Sequence, residues 1–147
     1  MKEPTREVAA AIIIGTCGRV LLQQRDDVPG ILYPGMIGLF GGHREGDETF
    51  IECVQREVEE EIGHRVPLDD FAEMATMRVA YPDGSTVQGA YYIVRGVPTE
   101  KLAVTEGSLC PVEIADLPAM LHRMTPSACF VSRLFLMDPT QHHRPAI

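Results

Sequence analysis

Eight carboxylates fall between Gly42 and His64 (Glu45, Asp47, Glu48, Glu52, Glu57, Glu59, Glu60 and Glu61), against two arginines. That segment holds −6 of the chain's net −8 in 23 of its 147 residues. Charge this dense lines either a solvated face or a cation site, and spacing separates the two. Thr49 with Glu52 three residues on fits a capping box, and Gly63 suits the left-handed position beyond a helix end, so the spacing predicts a helix over Phe50 to Ile62. On it, Ile51, Val54, Val58 and Ile62 form an apolar stripe that should pack on a sheet. Glu52, Gln55 and Glu59 make one polar flank, which fits a solvated face. The other flank sets Glu57, Glu60 and Glu61 at i, i+3 and i+4 beside Phe50 and Cys53. Like charges at that spacing destabilise a helix, and apolar neighbours raise carboxylate pKa values. A hard divalent cation, Mg²⁺ or Mn²⁺, relieves both penalties through oxygen ligation. Arg56 is in reach of Glu60 at i+4 and Glu52 at i−4 and orients the cluster, although an ordinary surface salt bridge has the same spacing.

Gly42, five residues, Glu48, seven residues, then Arg56-Glu57-Val58-Glu59-Glu60-Glu61-Ile62-Gly63 resembles the Nudix box, G-x5-E-x7-R-E-U-x-E-E-x-G-U, where U is a bulky aliphatic residue. All seven fixed Gly, Glu and Arg positions match, and Val58 fits the first U. His64 departs from the last U; it lies past the helix, where a local packing change is the expected consequence. The approach Pro34-Gly35-Met36-Ile37-Gly38-Leu39-Phe40-Gly41-Gly42 is similar to the family's common PGxWxLPGG, with Ile37 in the place of Trp and Phe40 in that of the second Pro. Both departures suit a strand and weaken transfer of any one relative's substrate preference.

The resemblance implies a Nudix fold, α/β (α+β), with a mixed sheet sandwiched between helices. It also implies a Mg²⁺- or Mn²⁺-dependent hydrolase of a nucleoside diphosphate linked to another group X. Carried over by position, Glu57, Glu60 and Glu61 become metal ligands, with the carbonyl of Gly42 or Gly41 nearby, and Glu48 and Arg56 become their support. For the general base the order of preference is Glu60, then Glu61, then a carboxylate outside the box such as Glu106. Some relatives supply a further metal ligand near the position of Glu106, where a plain loop carboxylate is the alternative. The implied partner is a small nucleotide: a nucleoside triphosphate as for MutT, a nucleotide sugar, ADP-ribose or a dinucleoside polyphosphate. A homodimer is also compatible, since many relatives dimerise.

Beyond the box, Arg25 ends a strand near the glycine-rich approach and is a phosphate-binding candidate, unless it is a surface arginine. Tyr91 and Tyr92 alternate along a strand, so one faces the core and the other approaches a base; Tyr92 is assigned the second role. His43 follows the glycine pair and is a substrate-contact candidate, with plain loop exposure as the alternative. Tyr81 lies where some diadenosine polyphosphate hydrolases have a tyrosine, but it also opens a tight turn, which favours a structural role. His142 and His143 belong to a polar tail.

The elements that must position these residues can be read in outline. Glu7 to Ile14 reads as a buried strand, Thr16-Cys17-Gly18 as a turn, and Arg19 to Arg25 as the hairpin partner. Asp26 to Gly35, with two prolines and two glycines, is a loop, and Ile37 to Phe40 a short strand. Phe71 to Tyr81 and Ser85 to Arg95 flank Pro82-Asp83-Gly84 as a second hairpin. Leu117 to Met124 and Ser127 to Met137 have helical length and spacing. The order is mixed α/β without the regular alternation of a doubly wound sheet.

Length and composition set the outer limits. At 45% hydrophobic and 23% charged, 147 residues suffice for one domain over 1–147 with its own core, which excludes intrinsic disorder. The acidic total argues against a nucleic-acid backbone as partner. The longest apolar run, Val8 to Ile14, is too short to span a bilayer, and the N-terminus lacks signal-peptide features, so a cytoplasmic protein is expected. Cys17, Cys53, Cys110 and Cys129 show neither CxxC nor zinc-ligand spacing. Two readings compete with hydrolysis: a Nudix-fold binding or regulatory module without turnover, and a Nudix-fold isomerase of an isoprenyl diphosphate. The first sits poorly with a complete set of box carboxylates, the second with a Cys53 inside the box helix.

Overall fold

The computed structural model describes residues 5–80 and 82–138. The expectations for Tyr81, His142 and His143 lie outside the described residues. Seven strands form one mixed sheet: β1 (Thr5–Gly15), β2 (Val20–Gln24), β3 (Ile37–Gly38), β4 (Phe40–His43), β5 (Ala72–Ala80), β6 (Thr86–Val97) and β7 (Ser108–Val112). Three α-helices accompany them: α1 (Phe50–Ile62), α2 (Leu117–Met120) and α3 (Pro126–Met137). Among the described residues, no helix is long and apolar enough to cross a membrane.

The central strand is β1, apolar on both faces because both are covered. Ala9, Ala11 and Ile13 point toward α1 and pack with Val54, Val58 and Ile62. Ile12 and Ile14 point the other way, toward Val131 and Phe135 of α3. The same two-residue alternation splits β6, with Ala90, Tyr92 and Val94 on the α1 side and Tyr91 and Ile93 on the α3 side. The outcome is a mixed sheet between helices, the fold class anticipated above.

The sheet forks beside β1, and the fork creates the site. Along one edge β1 pairs in parallel with β6 throughout. On the opposite edge Val8 to Ala11 pair with β4, whereas Ile13 and Ile14 pair with β2. β2 then diverges and takes β3 as neighbour through Gln23 and Gln24. The segment read as one strand over Ile37 to Phe40 is therefore two, broken at Leu39 where the chain passes from the β2 branch to the β1 branch.

Two other expectations need correction. The element order read from the sequence has no strand between the second hairpin and the C-terminal helices, yet β7 lies there and pairs along the whole of β2. Its Pro111 sits opposite Leu21 on an edge strand, where a missing N–H is tolerated. The helix expected over Leu117 to Met124 is a single α-turn followed by a 3-10 turn over Leu121–Arg123. Met124 to Thr125 then straightens, and the Thr125 N–H donates to the carbonyl of Ile37 at 2.8 Å.

Candidate active site

α1 begins and ends where its sequence dictates. The Thr49 hydroxyl accepts from the Glu52 N–H at 3.2 Å and the Glu52 carboxylate accepts from the Thr49 N–H at 2.8 Å, a complete capping box. This occupies Glu52, so the expected Arg56–Glu52 contact does not form. At the other end the last carbonyls of α1 are satisfied by one loop: Ala103 N–H donates to Ile62 O, Thr105 N–H to Glu61 O and the Thr105 hydroxyl to Glu60 O, at 2.9, 3.0 and 2.9 Å.

Arg56 is the hub of the acidic cluster. Its guanidinium clamps Glu48 bidentately at 2.7 and 3.0 Å, and donates to Glu57 at 2.9 Å, Glu60 at 3.5 Å and the His43 carbonyl at 3.0 Å. The Arg56 hydrogen bonds hold the Glu48 carboxyl down at about 2. Glu48 in turn accepts from the Glu45 N–H at 2.8 Å, so it ties the loop before α1 to the helix.

The three glutamates differ in setting. Glu61 is 4% exposed and its carboxylate lies under the glycine pair, accepting from the Gly41 N–H at 2.8 Å. Burial pushes its pKa up to about 8, opposed by the Gly41 N–H and reinforced by the charges of Glu57 and Glu106. Glu57 is also raised, first by burial and against the pull of Arg56. It packs on Gly42 so closely that a Cβ there would stand 2.5 Å from its carboxyl carbon. The Glu60 side chain is 59% exposed. The Gly42 carbonyl itself faces Cys53, whose thiol lies 3.6 Å away and is pushed up to about 12 by burial.

Glu57 and Gly42 line a cleft of about 470 Å³ in the fork, together with Arg25, His43, Glu106 and Tyr91. Arg25 is fixed by its Nε donating to the Leu32 carbonyl at 2.9 Å. Residues Val8, Leu32, Tyr33, His43, Tyr91 and Ser127 also line a second cavity of about 300 Å³, on the α3 side of the sheet. Its inner wall is Met77, Val79 and Val87. A cleft that carries the charged side chains of Arg25, Glu45, Glu57 and Glu106 on otherwise apolar walls thus shares a wall with a more uniformly apolar chamber.

Of the residues singled out in the sequence, Arg25, Gly42, His43, Glu57 and Glu106 line the cleft, Glu61 lies beneath it on the Gly41 N–H, and Glu60, Arg56 and Glu48 form the ion-paired cluster outside its lining. The structure does not bring Tyr92 there. Tyr92 lies in the core under α1, edge-on to Phe71 at 6.2 Å, while Tyr91 faces the cleft. Sequence reasoning missed Tyr91 in this role, and also Gln23, a 4% exposed amide beside Glu61. A glutamine amid the apolar run of β2 was the available signal.

The donor set is all oxygen and suits a hard cation. Among the described residues no group of three or more His, Cys, Asp or Glu side chains is arranged to hold a metal ion by itself. An ion held by Glu57, Glu61 and the Gly42 carbonyl therefore needs water or substrate oxygens to complete its shell, the usual situation for Mg²⁺. Two carboxylates raised by burial and by neighbouring carboxylates, Glu57 by Glu60 and Glu106 and Glu61 by Glu57 and Glu106, are what a cation at this place relieves.

Comparison with curated protein sequences gives no significant match. Solved structures do resemble the chain. A MutT NUDIX hydrolase from Burkholderia pseudomallei is 23% identical, with 90% of this chain and 98% of that one covered at a TM-score of 0.72. A MutT protein from Methanosarcina mazei Go1 is 19% identical, with 98% and 99% covered at 0.74. A bifunctional NMN adenylyltransferase/ADP ribose pyrophosphatase from Francisella tularensis, complexed with AMP and a Mn ion, is 17% identical, with 92% and 42% covered at 0.66. Likeness at these identities establishes the fold. The family itself comes from the sequence, because the NUDIX domain model matches residues 4–128. Over that span the chain belongs to the NUDIX domain family.

Proposed function

We propose that this protein is a Mg²⁺- or Mn²⁺-dependent hydrolase of the diphosphate linkage in a small nucleotide, with a nucleoside triphosphate as the first substrate to test. The observation that carries the reading is the meeting of Glu57 and Glu61 at Gly41-Gly42, in a cleft that also holds Arg25 and runs into an apolar chamber. Glu57, Glu61 and the Gly42 carbonyl would hold the cation, and Glu60 and Glu106 are the further carboxylates that could join them once substrate is bound. A bound Mg²⁺ or Mn²⁺ neutralises the phosphate oxygens and lowers the pKa of an attacking water. The chain's own residues do the rest. Arg25 binds a phosphate that the acidic cluster alone would repel. Arg56 and Glu48 fix the helix carboxylates so that no reorganisation is needed as charge develops. Glu60 is the general base, being open to solvent while Glu61 accepts hydrogen bonds from Gly41 and Gln23. Tyr91 and the apolar chamber take the base of the nucleotide, in a cytoplasmic setting where such nucleotides are abundant.

The test is release of phosphate, pyrophosphate and nucleoside monophosphate from a panel, with Mg²⁺ or with EDTA. The panel spans canonical and oxidised nucleoside triphosphates, nucleotide sugars, ADP-ribose and dinucleoside polyphosphates. Metal-dependent cleavage of one class, reduced about 10²–10⁴-fold in Glu60→Gln, is the expected result. Metal-dependent binding without product from any class would overturn it in favour of a binding module.

A further inference from the structure

A neutral side chain occupies the place where the buried carboxylates of this site would be expected to find a cation. Gln23, on β2, is 4% exposed, and its Nε2 donates both to Glu61 Oε2 at 3.4 Å and to the backbone carbonyl of Glu106 at 3.0 Å. With Gly41 N–H on Oε1, both oxygens of Glu61 are engaged. The Glu106 loop is likewise held on two sides. Thr105 is tied to the end of α1, and Gly107 lies so close to the carbonyl of Gln24 that a Cβ there would collide with it. Gln23 bridges the helix carboxylate to that loop, reaching 38 residues along the chain to Glu61 and 83 to Glu106.

We infer that Gln23 is a positioning residue of the cation site: one amide group sets the orientation of Glu61 and the approach of the Glu106 segment toward it. The inference rests on the metal reading proposed above. An amide suits the task because each of its two N–H bonds can serve one acceptor. Because it is neutral, it orients Glu61 without neutralising it, so the negative charge stays available to an ion. A lysine or arginine at the same position would fix the carboxylate and compete with the ion. A leucine would leave the buried Glu61 carboxylate oxygen and the part-buried Glu106 carbonyl without this donor.

The experiment is Mn²⁺ titration followed by electron paramagnetic resonance, on wild type, Gln23→Leu, Gln23→Asn, Glu61→Gln and the double variant Gln23→Leu/Glu61→Gln, with folding checked by circular dichroism. Gln23→Leu is expected to weaken Mn²⁺ binding about tenfold, the usual scale for loss of a group that orients a ligand. In the Glu61→Gln background the same change should matter less than about threefold, because its route to the ion is gone. Gln23→Asn, a methylene shorter, keeps an amide and polarity but cannot span both acceptors, so it should fall on the side of Gln23→Leu and serves alone if the leucine variant fails to fold. Wild-type Mn²⁺ affinity retained in a folded Gln23 variant would overturn the inference and leave the metal reading intact. An equal loss in both backgrounds would also overturn it, since Gln23 would then act through something other than Glu61. Absence of Mn²⁺ binding by the wild type would remove both.

Discussion

The Arg56 guanidinium donates to Glu48, Glu57, Glu60 and the His43 carbonyl, and its closest contact goes to Glu48, which faces the entry loop and not the cleft. Glu48 therefore acts on the cluster by fixing Arg56, a role visible in stability. Its carboxyl is lowered from 4.5 to about 2 by the Arg56 hydrogen bonds. A carboxyl depressed in the folded state binds its proton more tightly when unfolded, so its stabilising contribution is complete above about 4.5 and is lost as the pH falls toward 2. Glu48→Gln should therefore lower the free energy of unfolding at pH 7 by about 2 kcal/mol, the scale of a charge-assisted hydrogen bond partly shielded from water. The gap to wild type should narrow as the pH falls below about 4.5, read from urea unfolding across that range. Two curves that stay parallel down to the acid limit would remove Glu48 from this account.

Among the elements, α1 shows the tightest link from sequence to geometry, and the reason is locality. Its cap, apolar stripe and glycine stop all act within a few residues, and the helix runs over Phe50–Ile62 as the spacing predicts. The cap is a separable contribution: Thr49→Ala should cost about 1 kcal/mol and lower the melting temperature by about 2–4 °C. A melting temperature unchanged by Thr49→Ala would mean that packing against β1 and the 103–105 loop fixes the helix start unaided. Elements shaped by distant partners were not legible in the same way. The break at Leu39 depends on β1 and β2 diverging, which no pattern within Ile37 to Phe40 encodes. β7 carries a proline that argues against a strand, and only pairing with β2 makes it one. The roles of Tyr91 and Tyr92 turn on which face of β6 meets α1. Alternation says that the two differ and cannot say which is which. Gln23 becomes part of the site only because α1 and the Glu106 loop, 38 and 83 residues further along the chain, both converge on it.

At the scale of the whole molecule, the forked sheet carries two adjoining cavities. α1 packs over β1 and β4 on one face and brings its carboxylates to the fork, whereas α3 covers only part of the other face. The face left open beside Pro126 and Ser127 is the apolar chamber, and Leu32, 63% exposed on the loop before β3, stands at the opening shared with the cleft. On the proposed reading, charge recognition draws on Glu57 and Arg25 and recognition of the base on Met77, Val79 and Val87, with Tyr91 and His43 lining both cavities, and each should fail without the other. Val87→Phe, on β6 at the inner wall of the chamber, reduces its volume without approaching Glu57 or Glu61. It should raise KM for a nucleotide substrate by about tenfold or more, the scale set by overfilling an apolar pocket, while Mn²⁺ affinity stays at the wild-type value. Glu61→Gln should do the reverse, weakening Mn²⁺ binding with a smaller effect on KM measured at saturating metal. Val87→Phe with unchanged KM would show that the base lies elsewhere, along the Arg25 end of the cleft. Loss of Mn²⁺ affinity in the same variant would show that the two faces are not separable.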